Sequence, residues 1–162
     1  MENNELCLEK LKKDYSIIQK KYSLPSFEEL NMDFGIEKAA DSETDYLIRE
    51  VRKFMSDKLS NYLRFIERLL QPSNVPIFVF SIIKTLGVEE KNKLSEIYKK
   101  LAKVEVSLIC LDLEFDEKKE AEFVINTFGF WQEIKKDLIE IIECIKCRWD
   151  SKSESNNKGY FG

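Results

Sequence analysis

From Leu94 to Phe115 an apolar residue returns at every third or fourth position: Leu94, Ile97, Leu101, Val104, Leu108, Leu111, Phe115. An α-helix, with 3.6 residues per turn, gathers such a series onto one face; a strand, with its period of two, scatters it. Val104, Val106 and Leu108 alternate as a strand would, but that alternation is too short to displace the longer period. Val106, Ile109 and Cys110 fall on the back of the same helix. The stretch is therefore apolar nearly all round and is expected to be the central helix of a bundle.

The same period recurs elsewhere. Leu8, Leu11, Tyr15, Ile18 and Tyr22 define a helix over 2–22 that ends at Ser23-Leu24-Pro25, because proline disfavours α geometry in the residue before it. From Ser42, with Asp45 as capping partner, a second helix is expected to reach Gln71 before Pro72. Its apolar residues, Leu47 through Leu70, spread over half the circumference, too wide for a two-helix seam, so it needs at least two neighbours. Ser73-Asn74-Val75-Pro76 resembles a cap with proline in the first turn, opening a short helix from Val75 to Leu86 that Gly87 stops. This helix is apolar on every side, which predicts enclosure against the apolar back of the central helix. A last helix, from about Asp116 to Trp149, carries Val124, Phe128, Trp131, Ile134, Leu138, Ile141, Ile142, Ile145 and Trp149 on one face, with Gly129 as a point where it can bend. Residues 23–41 read as an acidic connector, irregular or in short helical turns, and the polar tail 150–162 as disordered. The fold expected is all-α: a single-domain helical bundle over 1–149, four longer helices plus one short apolar helix, with no sheet.

Composition narrows the chemistry. The 162 residues contain no histidine, which removes the Ser-His and Cys-His nucleophile systems and every His-ligated metal site. The 5 glycines are too scattered to write a Walker loop or a dinucleotide fingerprint. Cys7, Cys110, Cys144 and Cys147 stand in a chain that opens without a basic or apolar leader, so a reducing, cytoplasmic setting is expected. The longest apolar run, Val75 to Ile83, is interrupted and too short to span a bilayer, so no membrane role is expected. The net charge of -4 is uneven: 23–46 holds seven acids against Lys38 alone, whereas 47–71 holds six bases against three acids.

Motif by motif, the chain yields little catalysis. Cys144-Ile-Lys-Cys147 is a CxxC, but it sits near a helix C-terminus, where the dipole disfavours thiolate, with no second CxxC to complete a zinc set. The pair reads as incidental. Ser81-Ile-Ile-Lys84 has the spacing of serine acylases without their companion motifs, in a helix expected to be buried. Asp33-Phe34-Gly35 copies a kinase triplet in a chain too short for that fold. Asp112, Glu114 and Asp116 lack the glycine a calcium loop requires. Glu117-Lys-Lys-Glu120 and Glu140-Ile-Ile-Glu143 have the spacing of carboxylate-magnesium hydrolases, though Glu140 and Glu143 fall on the solvent side. No metal site and no cofactor follow from these patterns.

Arg49, Lys53, Arg64 and Arg68 share one polar arc of the 47–71 helix, and guanidinium groups suit phosphate, so this face is a candidate nucleic-acid or phosphate surface. Glu50, Asp57 and Glu67 share the arc and can neutralise much of it. If the short apolar helix is exposed rather than enclosed, Phe78 and Phe80 are the candidate partner-binding residues. The function expected is a non-enzymatic structural or protein-protein interaction module acting through a protein partner or self-association. The alternative is a nucleic-acid-associated protein, and a carboxylate-magnesium hydrolase comes third.

Overall fold

The computed structural model describes residues 2–41, 44–73 and 75–157. It is all-α, with no strand among the described residues: α1 (Glu2–Tyr22), α2 (Phe27–Phe34), a 3-10 helix (Ile36–Asp41), α3 (Leu47–Leu70), α4 (Ile77–Ile83), α5 (Val88–Leu113) and α6 (Glu117–Asn157). The alternation at 104–108 lies inside α5, as the longer period required. Contacts divide the chain into two compact units, one of residues 1–61 and 103–131, the other of 62–102 and 132–162. α3, α5 and α6 each give a segment to both.

In the first unit the connector is more regular than its composition suggested. Ser26-Phe-Glu-Glu29 forms a complete capping box, the Ser26 hydroxyl taking the Glu29 N–H while the Glu29 carboxylate takes the Ser26 N–H at 2.9 Å. Gly35 closes α2 in the left-handed region, φ 66°, and its N–H reaches the Asn31 carbonyl at 2.8 Å. α1 ends in the same manner with a non-glycine residue: Ser23 sits at φ 56° and the Leu24 N–H returns to the Gln19 carbonyl. Tyr15, buried, packs edge-on against Phe27 and donates to the Pro25 carbonyl at 2.7 Å, tying α1 to the start of α2. Burial first, then Glu29 and Glu28, raises its phenol pKa above the ordinary value. Ile48, Val51, Met55 and Leu59 of α3 are buried in this unit, as are Ala121, Val124 and Trp131 of α6, the last tilted against Phe34. Leu108, Leu111 and Phe123 form a further apolar cluster, with Val104 against it.

The expected start of α3 at Ser42 is not kept. Thr44 to Tyr46 lie outside the helix, which opens at Leu47 with the Thr44 hydroxyl accepting the Tyr46 N–H; Ser42 itself lies outside the described residues.

The core of the second unit is drawn from Ile66 and Leu69 of α3, Val79 and Ile82 of α4, Leu86, Leu94, Ile97 and Leu101 near and within α5, and Ile134, Leu138, Ile141 and Ile145 of α6. α6 runs on to Asn157, past Trp149 and into the segment whose polarity suggested disorder. Residues 158–162 of that segment lie outside the described residues.

Two expectations of enclosure fail. α4 buries Val79 and Ile82 but leaves Ile77 87%, Phe78 63% and Phe80 48% exposed. Likewise Val106, Ile109 and Cys110 on the back of α5 are exposed, so this helix is not sheathed on all sides. A helix of seven residues has two turns, enough to rest one face on a neighbour, and an apolar sequence does not supply a second neighbour. Pro76 is the N-cap of α4 rather than a first-turn residue, and it brings no side-chain cap.

Candidate functional sites

The four cations assigned to one arc divide between the units: Arg49 and Lys53 belong to the first, Arg64 and Arg68 to the second. Arg49 is half-buried, with its guanidinium 5.7 Å from the Phe115 ring centroid, and that ring in turn packs on Tyr46. Its Nε is buried and finds no acceptor among the described residues. Lys53 pairs with Glu50 at 2.7 Å, the neutralisation within the helix that the sequence allowed. Arg64 and Arg68 are exposed and make no ion pair among the described residues. The arc thus keeps two available cations of its four.

The arginine left off that arc has the most elaborate surroundings. Arg52 is buried, its Nε donating to Glu120 Oε2 at 2.9 Å and its Nη2 to Asp112 Oδ1 at 2.8 Å. Glu120 is wholly buried, while Asp112 is largely exposed. Burial works against the Arg52 charge, but the hydrogen bonds and charge of Glu120, then of Asp112, outweigh it and raise the guanidinium pKa. The signal was present in the sequence: Arg52 is in register with Ile48, Met55 and Leu59, and Glu120 with Val124, Thr127 and Trp131, so both lie on apolar stripes. A charge on an apolar stripe needs an opposite charge on the facing one.

This arrangement dismantles the first Glu-x-x-Glu pair. Glu120 faces Arg52, and Glu117 faces Lys21 at 3.1 Å. In the second pair Glu140 bonds Lys93 at 3.3 Å and Glu143 is exposed. Asp116, one of the acids at two-residue spacing, caps α6, its Oδ1 accepting the Lys118 and Lys119 N–H groups. Among the described residues no three Asp, Glu or Cys side chains converge as metal ligands.

Cys144 donates its S–H to Glu90 Oε1 at 3.3 Å; that bond to a carboxylate, then burial, raises the thiol pKa. Cys147 is exposed. Glu90 also accepts Arg148 Nη2 at 2.7 Å, and Arg148 Nη1 bonds the Thr85 carbonyl at 2.7 Å. Arg148, then the backbone at the start of α5 and Cys144, hold the Glu90 carboxyl down to about 2. Gly87 leaves the room: a Cβ there would lie 2.5 Å from Glu90 Oε2. The cluster ties the α4–α5 turn to α6, with the Cys144 thiol as one of its donors.

Ser81 donates to the Ile77 carbonyl at 3.0 Å and the Lys84 ammonium lies 4.7 Å from the Phe80 ring centroid. Neither is buried, contrary to expectation, because α4 is covered on one side only. Asp33-Phe34-Gly35 serves local structure, with Gly35 as cap and the Asp33 carbonyl accepting the Lys58 ammonium.

Phe78 and Phe80 stand out. Phe78 is 5.9 Å from Trp149 of α6, ring centroid to centroid, so α4 and α6 together present Ile77, Phe78, Phe80 and Trp149 at the surface. No helix among the described residues is long and apolar enough to cross a membrane. No protein-family model, curated protein or solved structure matches the chain.

Proposed function

We propose that the protein is a non-enzymatic interaction module of the cytoplasm that docks a protein partner on the exposed apolar face of α4. The observation that carries the reading is the exposure of Ile77 and Phe78, with Phe80 half exposed, on a helix whose other face, Val79 and Ile82, is anchored in the core. Large apolar side chains held rigidly at a surface cost solubility and gain free energy only when covered. Aromatic anchors of this kind dominate interfaces. The ionisable groups support the same reading, since Arg52, Glu90 and Arg148 are engaged in internal pairs rather than aimed at open space.

The test is a photo-crosslinking residue at position 78, with Phe80→Glu as the disrupting variant. A discrete adduct that Phe80→Glu removes, in a chain whose thermal melt is unchanged, supports the proposal. Absence of any adduct, or unfolding of both Phe78→Glu and Phe80→Glu, overturns it. The nucleic-acid alternative now rests on Arg64 and Arg68, the two exposed cations of the arc. It requires a gel shift at low salt that weakens steeply with added salt and is lost in Arg64→Glu with Arg68→Glu.

A further inference from the structure

Val106, Ile109, Cys110 and Leu113 lie on one stripe of the C-terminal half of α5. All are exposed, Val106 by 63%, Ile109 by 60% and Leu113 by 82%. The spacing is that of a helix-pair seam, and the second helix is missing. Alongside, sharing Cys110, runs a groove of about 500 Å³ between α5 and α6, floored by Val104, Leu111, Phe123 and Phe130. Stripe and groove both belong to the first unit.

Two features choose the occupant. The stripe is symmetric about a midpoint between Ile109 and Cys110, so an antiparallel copy of itself sets Val106 against Leu113 of the second copy, and Ile109 against Cys110. Charge gives the same direction. Lys103, one turn before Val106, is exposed and makes no ion pair among the described residues, while Leu113 is followed by Glu114, exposed and only loosely paired with Lys119 at 3.7 Å, and by Asp116, one oxygen of which caps α6. An antiparallel copy brings each Lys103 to the other's acidic turn; a parallel copy sets acid on acid.

We propose that a second copy of this chain occupies the stripe and covers the groove beside it, forming a two-fold, isologous dimer through antiparallel α5 helices. The stripe alone falls short of the ~800 Å² per partner of a standard interface, which is why the groove has to be covered too. The unit carries 13 Lys and Arg against 20 Asp and Glu, and this like-charge repulsion keeps the dimer weak and concentration-dependent. The surface is separate from α4, so the two proposals stand or fall independently.

The test is light scattering on the full chain from about 1 µM to about 1 mM, the range in which weak interfaces assemble. The mass should rise from 19.1 kDa towards twice that value. Ile109→Glu and Leu113→Glu should hold it at the monomer, with unchanged melts, and Phe78→Glu should still double. For orientation, a variant keeping Cys110 alone (Cys7→Ser, Cys144→Ser, Cys147→Ser) should give a covalent dimer with a short thiol cross-linker. Moving that cysteine by Cys110→Ser with Val106→Cys should abolish the product. A monomer at every concentration, doubling that survives Ile109→Glu and Leu113→Glu, or efficient cross-linking through Val106→Cys overturns the proposal.

Discussion

The two units each contain an arginine held by glutamate, and the pairs differ in what surrounds them. In the first, Arg52 and Glu120 are both out of water and joined by a third group, Asp112, that reaches the surface. In the second, Arg148 is 43% exposed, and Glu90 is held first by the arginine, then by the start of its own helix and by Cys144. The same ion pair therefore has different consequences. Losing one partner in the first unit strands a charge where water cannot reach it; losing one in the second lets water replace it. The two contacts are alike in length, 2.9 Å for Arg52–Glu120 and 2.7 Å for Arg148–Glu90, so the difference expected between them comes from burial.

The sharpest test of that contrast is Glu120→Gln, expected to cost about 3 kcal/mol by removing the buried partner of Arg52 and leaving its charge to Asp112 alone, which is largely exposed. The double variant Arg52→Met with Glu120→Leu should recover most of the loss, because both charges then leave the core together. Urea denaturation checks this: the midpoint should fall in the single variant and return in the double, with the slope unchanged. Glu120→Gln as mild as a surface substitution would erase the distinction.

A second comparison is internal to α4. Ile82→Ala should cost about 2–5 kcal/mol by opening a cavity, while Phe78→Ala, on the exposed face, should cost less than about 1 kcal/mol. Equal losses in thermal or urea unfolding would mean that the aromatic face is enclosed after all.

Acid distinguishes the second pair. The Glu90 carboxyl is lowered from 4.5 to about 2, so its contribution is fully present above pH 4.5 and disappears as pH falls towards 2. The melting temperatures of wild type and Glu90→Gln should differ at neutral pH and converge across that window. Gly87→Ala should reproduce only part of the loss at neutral pH, since its Cβ displaces Glu90 Oε2, the far end of a flexible side chain whose other oxygen holds Arg148. A gap between wild type and Glu90→Gln independent of pH would mean that Glu90 acts by packing alone.

The smallest expected effect is a gain. Gly129 lies within α6, and a Cβ there would meet nothing within 4 Å. Gly129→Ala should therefore stabilise by about 0.5–1 kcal/mol through helix propensity and a less flexible unfolded chain. A loss on thermal unfolding would mean that the backbone at this position needs the freedom the sequence suggested.

Much of the local structure was legible because helix signals act within a few residues. Pro25 ended α1 and the Leu94–Phe115 series outweighed its strand-like fragment, whereas the short helix expected to run to Leu86 before Gly87 ends at Ile83. The capping-box spacing of Ser26 and Glu29 also stands in the sequence, but the acidic, aperiodic composition of 23–41 hid it; an acidic connector is helical when its acids lie at the right offsets. The Arg52–Glu120 pair was half legible: each residue stands on an apolar stripe, but 68 positions separate them and only the fold brings them together.

The sequence by itself determined an all-α chain without histidine chemistry, with helices where the 3-4 spacing ran and breaks near Pro25, Pro72 and Gly87, though not at Gly129. Tertiary structure decided which faces of those helices found neighbours. It buried one side of α4 and left Phe78 in water; it covered Leu108 and Leu111 and left Ile109 and Leu113 bare. Periodicity is a property of one helix and fixes which residues share a face. Burial needs a second surface to cover that face, and where the second surface lies depends on contacts made across the whole chain.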